Sequence, residues 1–319
     1  MAAPQTRAQF KDYCLRRLGF PVIEINVDDD QVEDRIDDAL SFFQDYHWDG
    51  VEKIFMKHQI TDADIARRWI YVPEAITSVT QVLPFDESNS SINMFDMRYQ
   101  LRLHDLYDFT SVSYVSYEIT MQHLTTLNML FSGKPQFRFN RHTDKLMLDI
   151  DWERDLRAGE YVVLECYRKM DPDQQTISGT AALVAGSNTI IGTGTTFQRD
   201  FIEGDEINFS TGESYRIFKI VGDTQMSLGT TTVTTADAAA TMTKTGMSDV
   251  WNDRFLKAYA TAKIKYQWGS NLSKFAGIQM PGGVTLDGPR IMAEALEEIH
   301  KLEDDMFNYN SLPSEIFVG

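Results

Sequence analysis

Apolar positions near the start of the chain recur at steps of three and four, and the helices they predict have well-marked ends. Thr6 and Gln9 stand at capping-box spacing, Phe10, Cys14 and Leu18 share one face, and Gly19 with Pro21 stops the run. The spacing predicts a helix from about Arg7 to Leu18. Asp28 and Gln31 repeat the capping spacing ahead of Val32, Ile36, Leu40, Phe43 and His47, so a second helix buries one stripe. Its opposite face carries Asp29, Asp30, Glu33, Asp34, Asp37, Asp38 and Asp45, a surface that is either wet or pressed against a basic partner.

The period then changes. Ile54 to Ile60, Trp69 to Val72 and Ser78 to Leu83 are short β-prone runs punctuated by Pro73 and Pro84, which predicts a small sheet. Val112, Val115, Ile119, Leu127 and Leu130 return to helical spacing, with Gly133 and Pro135 as a stop, so a third helix is expected over Val112 to Phe131. A hairpin follows, turned at His142, Thr143, Asp144 and Lys145, with Phe137 and Phe139 on one strand and Leu146, Leu148 and Ile150 on the other. Tyr161 to Arg168 is a further apolar strand.

From Gly179 to Gly246 the texture is different again. This stretch holds nine of the 19 glycines, is crowded with threonine, and has short β-prone runs at Thr189 to Ile191, Glu206 to Phe209, Tyr215 to Val221 and Met226 to Leu228. Helical periodicity resumes near Asp249 to Ser270, with Trp251, Phe255, Tyr259, Ala262 and Tyr266 as its stripe. A last helix begins at Asp287 or Gly288 with Pro289 in its first turn, and Met292, Leu296, Ile299, Leu302 and Met306 form its core face. Glu294, Glu297, Glu298, Glu303, Asp304 and Asp305 make its other face acidic. The expected fold is therefore α+β: a mainly helical core with a small antiparallel sheet over residues 1–178 and 247–319, interrupted at 179–246 by an inserted small β-barrel or β-sandwich. The end of the chain is rich in apolar groups yet too short for a core of its own. Phe307, Tyr309, Leu312, Pro313, Ile316, Phe317 and Val318 read as anchors for a partner.

Composition narrows the classes. Apolar residues at 43% and charged residues at 24% describe an ordinary folded chain. Lys and Arg total 30 against 47 Asp and Glu, a net charge of −17, which argues against wrapping free nucleic acid. No window approaches the ~18 consecutive apolar residues of a membrane span, and MAAPQTRAQF lacks the apolar core of a signal peptide, so cytoplasmic synthesis and no membrane partner are expected. Against the acidic background, Lys134, Arg138, Arg141, His142 and Lys145 cluster on the hairpin, facing DNA or an acidic neighbour, or simply solvent.

Chemistry is hard to find. Gly192-Thr-Gly194 lacks the third glycine and the helix of a phosphate loop. Asp28 to Asp30 begins like a calcium loop, but Glu33 and Ala39 stand where glycine and glutamate are needed. The six histidines have no paired spacing for zinc, and His123 falls on the stripe of the third helix, where a buried, hydrogen-bonded ring is expected. Cys14 and Cys166 have no nucleophile signature and are expected to be free and buried. No cofactor, metal or catalytic residue is expected.

Two blocks do carry a resemblance. Phe10 to Gly19 (FKDYCLRRLG) with Pro21 to Leu40 (PVIEINVDDDQVEDRIDDAL), and Gln279 to Gly288 (QMPGGVTLDG) with the acidic helix after it, resemble the neck proteins of T-even-type tailed phages, particularly the cyanophage branch. The resemblance covers most of the chain outside the glycine-rich stretch. It implies a structural head-completion protein of the virion neck and not an enzyme: a ring-forming head-to-tail connector, twelvefold, that docks beneath the portal protein, receives a second neck or tail-terminator protein, and lets genomic DNA pass without sequence-specific binding. The mainly helical core is then the connector core, and the C-terminal anchors are expected to insert into the portal or a neighbouring subunit. Alternatives are another virion component, such as a tail terminator, tail completion or collar protein, and last an acidic hydrolase with a carbohydrate-binding β module.

Overall fold

The computed structural model describes residues 3–85, 136–154, 156–274 and 287–310. The helix expected over Val112 to Phe131, with His123, lies outside them, as do Lys134 and residues 311–319. The described chain divides into two compact units: residues 1–52, 169–175 and 245–319 form one, and residues 53–168 and 176–244 the other.

The first unit is helical. Helix α1 (Arg7–Leu18) is capped as its sequence requires: Thr6 Oγ1 accepts from the Gln9 N–H at 3.3 Å, and Gly19 closes the end at φ 111°, a conformation only glycine takes freely. Helix α2 (Asp29–Tyr46) buries Val32, Ile36, Ala39, Leu40 and Phe43. A 3-10 turn at Trp48–Gly50 follows it. Helix α5 (Arg254–Ser273) starts on Asp253, whose carboxylate accepts from the Leu256 N–H at 2.8 Å. It packs against α1, α2 and α6 (Gly288–Asn310). Residues around most of its circumference are therefore buried, including Leu256, Tyr259, Ala260, Thr261, Ala262 and Ile264, whereas the sequence suggested a single stripe. The approach of α5 to α6 depends on Gly269, where a Cβ would sit 2.5 Å from the Met292 backbone nitrogen. On α6 Gly288, Ala295, Ile299 and Met306 are buried, and Leu296, expected in the core face, is 43% exposed.

The chain leaves this unit twice and returns twice, each time beside its point of exit. After the excursion from residue 53 to 168, the Met170 N–H donates to the Gly50 carbonyl at 2.9 Å. After that from 176 to 244, the Met247 N–H donates to the Asp171 carbonyl at 2.9 Å, and a Cβ on Gly246 would strike the Pro172 and Asp173 carbonyls.

The second unit holds three sheets and overturns the expectation of a mainly helical core. Strands β1 (Val51–Gln59), β3 (Ile76–Phe85) and β6 (Tyr161–Lys169) form one sheet in the order β1-β6-β3. Strands β2 (Ile70–Tyr71), β4 (Phe137–Asn140) and β5 (Lys145–Leu148) form another in the order β2-β5-β4. The three runs between 54 and 85 thus belong to two sheets, not one. Each finds its partner far along the chain, as in the antiparallel register Val82 to Leu164 and Ile70 to Leu146. A short helix, α3 (Asp62–Arg67), sits between β1 and β2. The third sheet has seven strands, in the order β10-β9-β13-β7-β8-β12-β11, from β7 (Gln175–Leu183) to β13 (Asp237–Lys244). Between these two run β8 (Thr189–Thr193), α4 (Phe197–Asp200), β9 (Glu206–Phe209), β10 (Ser214–Arg216), β11 (Lys219–Gly222) and β12 (Gln225–Ser227). Its core gathers Ile190, Phe197, Phe201, Ile207, Met226, Ala240 and Met242. Ile202 packs instead with Met56, Val82, Leu164 and Cys166. Beside it Asp205, 5% exposed, takes Arg168 at 2.9 Å and Lys244 at 2.7 Å, two cations that offset the cost of its burial.

Candidate interaction surfaces

Among the described residues, the two cysteines and the most buried acids are committed to structure. Cys14 and Cys166 are free and buried, and burial pushes both thiols up to about 11, away from the thiolate a nucleophile needs. His58 Nε2 lies 3.1 Å from Asp64 Oδ2, but that carboxylate also accepts from the Thr61 backbone and hydroxyl at 3.0 and 2.7 Å, and its other oxygen accepts from Arg67 at 2.9 Å. Asp64 is a buried cap of α3 with both carboxylate oxygens engaged. Glu213 is held at about 2 by hydrogen bonds from Thr234, Thr235 and Tyr215, the signature of a turn clamp. Among the described residues no group of three His, Cys, Asp or Glu side chains is placed to hold a metal, and no helix is long and apolar enough to cross a membrane.

The basic hairpin forms with the expected facing. Phe137 pairs with Leu148 and Phe139 with Leu146 on the covered side, while Arg138 stands opposite Met147 on the exposed side and Arg141 lies in the exposed turn. Lys145 behaves differently: its Nζ sits 4.5 Å from the centre of the Trp69 ring. Arg67 stacks over Trp69 and Tyr71 at 5.0 and 5.2 Å, and the two rings meet edge to face at 4.3 Å. Trp69 and Tyr71 were invisible as site residues because two β-prone aromatics at alternate positions read as strand.

The acidic face of α2 is partly neutralised within its own unit. Arg7 reaches Glu33 at 2.6 Å, Asp173 at 2.9 Å, and Asp37, and Lys11 bridges Asp29 and Glu33 at 3.3 and 3.2 Å. Burial opposes the charges in this cluster, yet the paired cations hold Glu33 below the usual carboxylate range; for Asp173 burial outweighs its Arg7 bond and raises it. Arg7 thereby ties α1, α2 and the connector at Asp173 together.

The end of α2 carries a different surface. Tyr46, Trp48 and Phe307 are 57%, 56% and 55% exposed, and they belong to one continuous array of rings. Phe42 stacks on Tyr259 at 4.7 Å and meets Tyr46 at a tilt at 4.8 Å, Tyr46 meets Phe307 edge-on at 6.4 Å, and His47 lies between Phe255 at 5.3 Å and Trp48 at 5.8 Å. Burial lowers the His47 pKa below its ordinary value despite Asp253 and Asp49, so the ring joins this array in its neutral form. A groove beside the array is lined by Trp48, Phe255, Ala258, Leu302 and Met306, with Asp49, Asp253, Arg254 and Asp305 among its polar walls. Five rings in the run Phe42, Phe43, Tyr46, His47 and Trp48 are more than one helical stripe can bury, and that excess was the available signal.

The whole chain, residues 1–319, matches the family described as bacteriophage T4 neck protein gp13. The chain belongs to that family. No solved structure matches it. As a neck protein it is a structural component of the virion, located at the neck and associated with other virion components, in a family that is not enzymatic. Of the C-terminal anchors of this neck protein, Phe307 is in the aromatic array; the side chain of Tyr309 and the residues Leu312, Pro313, Ile316, Phe317 and Val318 lie outside the described ones. Of the hairpin cations, Arg138, Arg141 and Lys145 come together on β4, its turn and β5, and Lys134 lies outside the described residues.

Proposed function

We propose that this neck protein is the subunit of a ring-forming head-to-tail connector, twelvefold, that docks beneath the portal after DNA packaging and receives a second neck or tail-terminator protein. The observation that carries the reading is the half-exposed aromatic array at the end of α2, on a chain whose buried acids Asp64 and Asp205 are engaged in a helix cap and in ion pairs. An apolar surface of this kind, rimmed by charge, marks a protein interface. Carboxylates on the outer faces of α2 and α6 suit a wall that DNA passes without adhering. The C-terminal anchors Phe307 to Val318 serve portal or neighbour contact, and residues 179–246 form an inserted module with a partner of its own. The basic hairpin, Arg138, Arg141 and Lys145 with Lys134, faces an acidic neighbour or the DNA.

The test is the mass of the purified chain, alone and mixed with its portal, by light scattering with negative-stain imaging. A ring seated on the portal is expected, and deletion from Phe307 onward should abolish the complex while the remaining chain stays folded. A stable monomer that ignores the portal would overturn the connector reading and favour a tail-side role.

A further inference from the structure

The groove at the end of α2 joins two chemistries. Trp48, Phe255 and Met306 give it an aromatic and apolar floor, while Asp49, Asp253 and Asp305 stand in its walls against one cation, Arg254. His47 adds no charge, since burial keeps its ring neutral. Exposed rings beside an excess of carboxylates make a surface suited to guanidinium and ammonium groups, which stack on the rings and donate to the acids.

The hairpin of β4 and β5 has the opposite character. Arg138, Arg141 and His142 are exposed on it, and Lys145 beside them is held over the Trp69 ring at 4.5 Å. Its turn is fixed: the Asn140 side-chain oxygen accepts from the His142 N–H at 2.9 Å, and Asp144 adopts the left-handed conformation at φ 52°. That aspartate, 6% exposed, is paired with Arg199 at 3.0 Å, so the tip presented to solvent is cationic. A turn already ordered loses little freedom on docking. Met147, 42% exposed opposite Arg138, adds an apolar group to the same face.

A net charge of −17 makes copies of this chain repel one another, so contact between them is favoured where opposite signs meet. The acidic aromatic groove and the cationic hairpin are such a pair. Groove and hairpin belong to different units of the chain, so a contact between them in two copies is heterologous, the type that closes into a ring. Duplex DNA suits the hairpin less, because the same net charge opposes a polyanion and Met147 has no group for a phosphate.

We infer that the acidic aromatic groove formed by Trp48, Asp49, Phe255 and Asp305 receives the basic hairpin, Arg138 to Lys145, of a second copy of this chain. The inference rests on the connector reading and names the two surfaces by which one subunit holds the next.

Two full-length variants reverse the charges: Arg138→Glu with Arg141→Glu on the hairpin, and Asp49→Lys with Asp305→Lys in the groove. Asp253 is left in place because it caps α5. Sedimentation velocity should show the wild type assembling beyond a dimer. Each variant alone should need a roughly 30-fold higher concentration to assemble, as like charges facing each other across the contact imply. An equimolar mixture of the two should assemble as the wild type does, because every hairpin then meets a groove of opposite charge on the other chain. Unchanged circular dichroism and melting of each variant exclude misfolding. A wild type that stays monomeric, a variant that assembles like the wild type, or a mixture that fails to assemble would each overturn the inference. A hairpin variant that assembles normally but is less well retained on duplex DNA would overturn it in favour of the DNA. Repeating the measurement with the portal separates the two readings: a ring of either variant alone on the portal leaves the connector standing without this contact, and a mixture that assembles from chains that ignore the portal does the reverse.

Discussion

Asp64 is 1% exposed, and its carboxylate is satisfied by His58, Thr61 and Arg67. Burial by itself would raise its pKa; the bonds from His58 and Thr61 outweigh burial and hold it below the usual range. An acid depressed in the folded state contributes stability that is complete above its unfolded value, near pH 4, and is lost as pH falls through the folded value. Asp64→Asn is therefore expected to cost about 3 kcal/mol at neutral pH, with the deficit shrinking below about pH 4. Urea titrations of both proteins at neutral and acid pH check this, and a deficit independent of pH would exclude the charge as its source. The capping residues Thr6, Asp28 and Gln31 were legible because a cap is a local bargain between neighbours in sequence. The Asp64 site was not, since His58 arrives from β1 and nothing in its spacing to Asp64 announces a hydrogen bond.

At the scale of elements, α1 runs over the predicted residues and α2 within one or two of them, because capping and apolar periodicity agree there. Helix α5 shows what periodicity misses. With α1, α2 and α6 all packed on it, its buried set extends well beyond one stripe, and small residues take positions the pattern left unassigned. Gly269 is the clearest of them. A methyl there would meet the Met292 backbone nitrogen at 2.5 Å and its Cα at 2.8 Å, and backbone cannot swing aside as a side chain can. Gly269→Ala should cost about 2 kcal/mol, chiefly by separating α5 from α6. Gly222→Ala, where a Cβ meets nothing within 4 Å, should change stability by less than about 0.5 kcal/mol. Thermal melts of the pair decide the matter; equal effects would show that the helix contact tolerates the methyl.

For the whole molecule, the junctions carry the argument. Each excursion from the helical unit starts and ends at adjacent backbone, Gly50 with Met170 and Asp171 with Met247. Such neighbouring ends are the condition under which an inserted segment can be removed without pulling the parent apart. Replacing residues 176–244 by a short Gly-Ser linker is expected to leave the helical unit folded and assembly intact, as judged by circular dichroism and light scattering. Loss of assembly would place the seven-stranded module within the contacts between subunits. The same excision exposes the partners of Ile202 in the smaller sheets, so lower solubility is expected alongside retained assembly.

Sequence alone determined the helices with caps at both ends, the basic hairpin and its facing, the free buried thiols and the neck-protein resemblance, all of which depend on neighbours in the chain or on residue identity. It also marked the glycine- and threonine-rich stretch as β. Only the tertiary structure decided that the runs between 51 and 85 split into two sheets, that the molecule is not mainly helical, and that Phe42, Tyr46, His47, Trp48, Phe255 and Phe307 form one array. Strand partners such as Val82 and Leu164 are separated by most of a domain, and rings from α2, α5 and α6 meet only once three helices have packed. Periodicity records which face of an element is apolar, but not which distant element will cover it, or whether any will.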